Sequence, residues 1–224
     1  MNKFTRMIEY ICGLPKTIYF NFKCLPLLQA IKLPIFISHR VILASVQGKI
    51  IFACDKVKTG MVKIGFGYVG IFDRYRSRSI IENSGTLVFR GGNINIGHGS
   101  KISVSPGGCL SLGRDFSITA ESQICAKKLI HIGENVLMSW QCLVMDTDWH
   151  SIYFDGTKAN EDMAISIEDN VWVGCRSTIL KGAVIPRGCV IGANSNVVSA
   201  FTENNCIIAG NPAQIVKKHI TWKK

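Results

Sequence analysis

His150 is the side chain whose setting best suits it to move a proton. A neutral imidazole titrating near ~6.5 accepts a proton readily around neutral pH. Asp146 and Asp148 precede it at spacings of four and two. Along an extended segment those spacings put both carboxylates on the histidine's side and Trp149 on the other. The pattern predicts His150 as a general base, Asp148 as a carboxylate that orients its ring, and Asp146 and Trp149 as contacts for a hydroxyl-bearing substrate. Loop histidines are usually only solvated, and loop aspartates usually order their own backbone. His150 is set apart by its place in the chain, at the end of the one large break in a repeat.

The repeat has a period of six. Ile167, Val173, Ile179, Ile185, Ile191 and Val197 follow one another at that interval, and four residues after each stand Val171, Ser177, Ala183, Cys189, Ser195 and Phe201, mostly small. Asn170, Arg176, Gly182, Gly188 and Asn194 fill the turn places between. Six matches neither the 3.6 of a helix nor the two of a strand. It suits a prism: one short strand plus one turn per hexad, three hexads per coil, and the recurring aliphatic inside. Stacked coils pair as parallel strands, and Gly or Asn takes the corners because both tolerate positive φ.

Earlier stretches carry the same period: Leu112, Ile118, Ile124 and Ile130, then Ile132, Met138 and Val144 after a shift of two that keeps the same strand face. Residues 80–111 read as looser early coils. Between Val144 and Ile167 lie 23 positions, not a multiple of six, so residues 146–163 must project as a loop. The expected organisation is an N-terminal cap over 1–60, a β-helix over 61–211, and a C-terminal helix or tail over 212–224. In the cap, residues 3–12 form a short amphipathic helix, and Pro15, Pro26 and Pro34 break the apolar stretches that follow. Such a cap would cover the open edge of the first coil.

Composition narrows the class. The chain has 224 residues, 47% hydrophobic and 18% charged, which excludes a disordered chain. No apolar run is long enough to span a bilayer, and no cleavable leader follows the basic start, so the expected compartment is the cytoplasm. The net charge of +11 is concentrated in residues 1–90, where 14 Lys and Arg face 4 Asp and Glu. Lys3, Arg6, Lys16 and Lys23 beside Phe4, Ile8, Ile11, Tyr19 and Phe20 read either as a solvated face or as a peripheral contact with the inner face of a membrane. Nucleic acid ranks behind both, since Arg74-Tyr75-Arg76-Ser77-Arg78 is an isolated run without a binding motif.

Nine cysteines, an odd number with no C-x-x-C pair, read as reduced buried thiols rather than disulfides or a zinc set. Gly65-Phe66-Gly67-Tyr68-Val69-Gly70 spells a dinucleotide fingerprint, but no helical pattern follows it. His98, His131 and His150 are too dispersed in sequence for a metal site, and no metal ligand is expected.

Four stretches carry a resemblance: Ile132-Gly133-Glu134-Asn135-Val136, Asp146-Thr147-Asp148-Trp149-His150, Val171-Trp172-Val173-Gly174 and Ile208-Ala209-Gly210-Asn211-Pro212-Ala213. Together, over residues 94–220, the chain resembles the hexapeptide-repeat acyltransferases of the galactoside, maltose and streptogramin acetyltransferase type. The resemblance implies an all-β fold, a left-handed parallel β-helix, a homotrimer, acetyl-coenzyme A as co-substrate and His150 as the general base. Carried over singly, it places Cys175, Ala193 and Ser199 against the coenzyme, Trp172 beside the groove, and Lys217 near phosphate. The usual Thr-Lys pair is here Val198-Ser199, and a frequent basic residue is Gln214, so Lys218 or Arg176 would make up the missing cation.

The implied activity is O-acetylation of a sugar hydroxyl in surface-polysaccharide biosynthesis, with a sugar or glycan acceptor. An amino-sugar amine, an antibiotic hydroxyl or serine is the alternative acceptor, and a non-catalytic β-helical scaffold the alternative class.

Overall fold

The computed structural model describes residues 3–73 and 75–224, with only the backbone of Lys3 and Phe4. Met1, Asn2, Arg74 and the side chains of Lys3 and Phe4 therefore lie outside the described residues, and with them part of the basic segment and of the arginine run.

Three parallel sheets of nine, seven and six strands wind around one another, the chain visiting the first, second and third in turn. The first runs from Ile35–Ile37 through Val62–Phe66, Trp172–Val173 and Val190–Ile191 to Ile207–Gly210 and Ala213–Lys217. In the regular coil Trp172 pairs with Val190 and Thr178 with Asn196, each 18 residues on, which is three hexads. The six recurring aliphatics from Ile167 to Val197 are all fully buried. Each contributes roughly 2–3 kcal/mol by leaving water. Val171, Ser177, Ala183, Cys189 and Ser195 are buried at the corners beside them. Asn170, Arg176, Gly182, Gly188 and Asn194 all have positive φ, between 55° and 79°, as turn positions require. Arg176 takes that conformation without being Gly or Asn, where its N–H donates to the Trp140 carbonyl at 3.0 Å.

The prism starts well before residue 61. Ile35–Ile37, Ile42–Val46 and Lys49–Phe52 already supply one strand to each sheet, so the boundary expected at 60 falls inside it. Hexad counting misses these coils because they are long: Ile35 pairs with Val62 and Val62 with Ile94, 27 and 32 residues apart. Their inward residues Ile35, Ile37, Ile50, Ile64, Leu87 and Ile94 alternate with outward ones as in any half-buried strand.

Two further expectations are corrected. The N-terminal helix α1 spans Lys3–Cys24 and runs through Pro15. A proline costs a helix one donor and a clash, but here the buried residues on either side, Gly13, Thr17, Phe20 and Asn21, hold the helix to the first strand. Ile35 N–H donates to Asn21 Oδ1 (3.1 Å) and Asn21 Nδ2 donates back to the Ile35 carbonyl (2.7 Å), while Ile37 N–H donates to Thr17 Oγ1 (2.9 Å). Two side chains thus satisfy the outer edge of the first sheet, the cap expected from the sequence. Gly13 lies where a methyl would strike the Ile37 carbonyl, so only glycine lets the helix approach this closely. At the far end there is no C-terminal helix. Ala213–Lys217 is a strand antiparallel to Ile207–Gly210, with β-branched Ile215 opposite Ile208.

All nine cysteines are free thiols. Burial pushes Cys142 up to about 11, and its Sγ lies 3.2 Å from the Gly174 carbonyl.

Candidate active site

The break in the repeat is a projecting arm between the strands Leu143–Met145 of the second sheet and Ile165–Ile167 of the third. It carries its own hairpin, in which Tyr153–Phe154 pairs antiparallel with Thr157–Lys158. Asp155 and Gly156, at φ 47° and 76°, form the tight Asp-Gly turn that suits two-residue hairpins.

The arm's stem is fixed by charge. Asp146 is fully buried and accepts from the backbone N–H groups of Lys127 (2.7 Å) and Lys128 (2.9 Å). Its carbonyl accepts from Met163 N–H at the other side of the stem (3.3 Å). Lys127 Nζ lies 3.3 Å from Asp162 Oδ2 and 5.7 Å from the Trp149 ring centre, and Lys128 Nζ donates to the Asp162 carbonyl at 3.0 Å. From the following coil Lys181 reaches up to Asp148 Oδ2 (2.5 Å) and to the Glu161 carbonyl (3.2 Å). Asn160 Nδ2 donates to both Asp148 Oδ2 and the His150 carbonyl, each at 2.8 Å. Hydrogen bonds from Lys181 first and then Asn160 hold the Asp148 carboxyl below the usual aspartate range. The Asp162 carboxyl is likewise lowered, chiefly by a hydrogen bond from Thr147.

His150 stands exposed on this stem with its backbone held twice, its N–H donating to the Asp148 carbonyl (2.7 Å) and its carbonyl accepting from Asn160. Trp149 before it has φ 61° and is half exposed. An imidazole so placed can take a proton from a group arriving out of solvent. The aspartates do other work than expected. Asp146 is walled in, both oxygens on backbone amides, and offers nothing to a substrate. Asp148 is engaged by Lys181 and Asn160, so it fixes the stem that carries His150. Alternation along an extended strand does not apply, because the chain turns at Trp149.

The residues expected against the coenzyme divide between corners. Cys175 and Ala193 occupy the corner between the first and second sheets in successive coils, Ala193 exposed. Ser199, also exposed, lies on the corner between the second and third sheets, the one from which the arm and Lys181 rise. Trp172 faces outward on the first sheet, its Nε1 donating to Ser139 Oγ (3.1 Å) and its ring 6.2 Å from that of Trp222. Lys217 is exposed at the end of the closing strand, whereas Lys218 is spent on Glu203, 2.7 Å away. Arg176 Nε donates to Gln141 Oε1 (3.2 Å). Sequence reasoning missed Lys181 and Asn160. The signal for Lys181 was available: it follows the Thr178–Leu180 strand at the corner directly after the arm's coil. Among the described residues no three His, Cys, Asp or Glu side chains gather as a metal set.

No family model matches the chain. It is 28% identical over 149 residues to the Escherichia coli protein named "Putative lipopolysaccharide biosynthesis O-acetyl transferase WbbJ", covering 62% of this chain and 75% of that one. It is 32% identical over 126 residues to the polysialic acid O-acetyltransferase of Escherichia coli, covering 55% of this chain but 41% of that protein. In fold it matches the crystal structure of the polySia-specific acetyltransferase NeuO with a TM-score of 0.51 at 23% identity, over 85% of this chain and 79% of that one. With the hexad prism, its histidine-bearing arm and these likenesses together, the chain is a relative of the O-acetyltransferases of the hexapeptide-repeat family.

Proposed function

We propose that the chain transfers an acetyl group from acetyl-coenzyme A to a hydroxyl of a sugar or glycan, in the building of a surface polysaccharide. The observation that carries the reading is His150, exposed on an arm whose stem is pinned from the coils on both sides. Lipopolysaccharide and polysialic acid in the names of two relatives support the acceptor class. Acetyl-coenzyme A supplies a thioester, already activated toward an oxygen nucleophile. His150 takes the hydroxyl proton as the oxygen bonds to the acyl carbon, and returns it to the sulfur as the carbon–sulfur bond breaks.

The residues for the coenzyme fit in kind. Cys175, Ala193 and Ser199 are small and leave backbone amides reachable, and Lys217 offers an exposed cation for phosphate. Their division between two corners supports a homotrimer of left-handed helices, in which a cleft is walled by one corner of one protomer and another corner of its neighbour. The exposed apolar tip of the arm, Ile152, Tyr153 and Phe154, fits contact with that neighbour. The chain works on the cytoplasmic side, where acetyl-coenzyme A is made.

Thiol release from acetyl-coenzyme A, followed with a panel of sugars, tests the reading. Sugar-dependent release that His150→Ala removes while the variant keeps its folded assembly is the expected result. Release that no sugar stimulates, or that survives the substitution, overturns it.

A further inference from the structure

Helix α1 is amphipathic the wrong way round for a helix on a protein surface. Its buried arc is polar or small: Glu9, Gly13, Thr17 and Asn21, with Phe20 the one large apolar side chain fully covered. Its outward arc is apolar: Met7, Ile11, Leu14, Ile18 and Phe22 recur at intervals of three and four and are all exposed, Ile11 to 60%. A helix that needs only to cover a sheet edge gains nothing from that stripe. The stripe continues past the end of α1 into the short helix α2 (Leu27–Ala30) and its flank, where Leu27, Leu28 and Ile31 are exposed, Leu28 to 76%.

Charge indicates what covers it. The first 32 residues hold five Lys and Arg and a single acidic residue, Glu9. Glu9 is buried, its carboxylate 3.9 Å from Arg40, so no carboxylate opposes an anion on this face. Arg6, Lys23 and Lys32 are exposed along the stripe's margins. An apolar stripe edged with cations is the pattern of a helix lying in the interface of an anionic bilayer. A protein partner would ordinarily supply mixed charge at such a rim. No described helix is long and apolar enough to cross a membrane, so the helix would lie in the surface plane.

We infer that the outward face of α1 and the Leu27–Ile31 turn docks the protein on an anionic lipid surface. Because α1 covers the outer edge of the first coil, that end of the prism faces the lipid and the coils carrying His150 stand away from it. This docking is independent of the acetyl-transfer reading and deepens it only in placing the arm above a membrane.

The full chain is sedimented with vesicles of phosphatidylcholine alone and of phosphatidylcholine with phosphatidylglycerol. Binding to the anionic vesicles should exceed binding to the neutral ones by about tenfold and weaken with added salt. Ile11→Asp with Ile18→Asp should lower it by about tenfold or more while the circular dichroism stays that of the parent. Lys23→Glu with Lys32→Glu, which leaves the stripe intact, should remove the preference for anionic lipid. Absence of binding to anionic vesicles, equal binding by parent and variants, or a stripe that mediates only self-association in light scattering would each overturn the docking. None of these readouts depends on enzymatic turnover.

Discussion

Lys181 Nζ lies 2.5 Å from Asp148 Oδ2, joining the coil below the projecting arm to the residue two places before His150. The pair ties the position of the imidazole to the prism rather than to the arm's own hairpin. Lys181→Ala therefore frees the stem while leaving every residue of the arm in place. We expect kcat for thiol release to fall about tenfold, as misplacement of a positioned base commonly does. Hydrogen exchange across residues 146–163 should quicken at the same time; unchanged exchange with unchanged kcat would show that Lys181 does not hold the arm.

The same pair has a pH signature. The folded Asp148 carboxyl titrates below its unfolded value because Lys181 and Asn160 hydrogen-bond its charged form. A lowered carboxyl pKa contributes holding energy above the unfolded value, and that contribution disappears as pH falls through the folded one. The stem should stay tied at neutral pH and loosen only in acid, below the ordinary aspartate value near ~3.9. Arm exchange should rise in acid in the parent and show no comparable rise in Lys181→Ala, where the tie is already gone.

His150→Ala should lower the acetyl-transfer rate by roughly 10²–10⁴, the range usually lost with a general acid–base group. Because the side chain is exposed, the melting temperature should stay that of the parent. A large drop in melting temperature would assign His150 to structure instead.

Asp146 belongs to stability. Asp146→Ala strands two backbone N–H groups in a buried corner and should cost about 2–4 kcal/mol in urea unfolding. Asp146→Asn keeps an acceptor oxygen and should cost about half as much. Loss of activity without loss of stability in Asp146→Asn would return the residue to the substrate.

At the N-terminal edge, Asn21→Leu leaves Ile35 N–H and its carbonyl without partners and should cost about 2–3 kcal/mol. Thermal unfolding measures the loss, and light scattering should show association through the uncovered strand.

The regular part of the prism was legible because Ile167 to Val197 repeat without a miss, and a strict six-residue rhythm has few structural solutions. The early coils were not, because Ile35, Val62 and Ile94 are spaced by corners of unequal length and the inward aliphatics fall out of step in sequence while staying in register in space. The projecting arm was legible as an interruption, and His150 as its functional residue. The partners of Asp146 and Asp148 were not, since Lys127, Lys128 and Lys181 come from other coils and only stacking brings them to the arm. The closing strand was misread because Pro212 and a short polar-apolar tail fit a helix start as well as a hairpin; pairing with Ile207–Gly210 decides it.

The direction of that last strand sets the height of the whole column. Every earlier turn of the first sheet offers a ladder that another parallel turn could extend, but Ala213–Lys217 runs the opposite way, and at the other extreme a hydroxyl and a carboxamide from α1 occupy the positions a neighbouring strand would take. Building a taller version by duplicating coils would thus succeed only when inserted in the middle, and tandem copies joined end to end should behave as separate beads instead of one continuous rod.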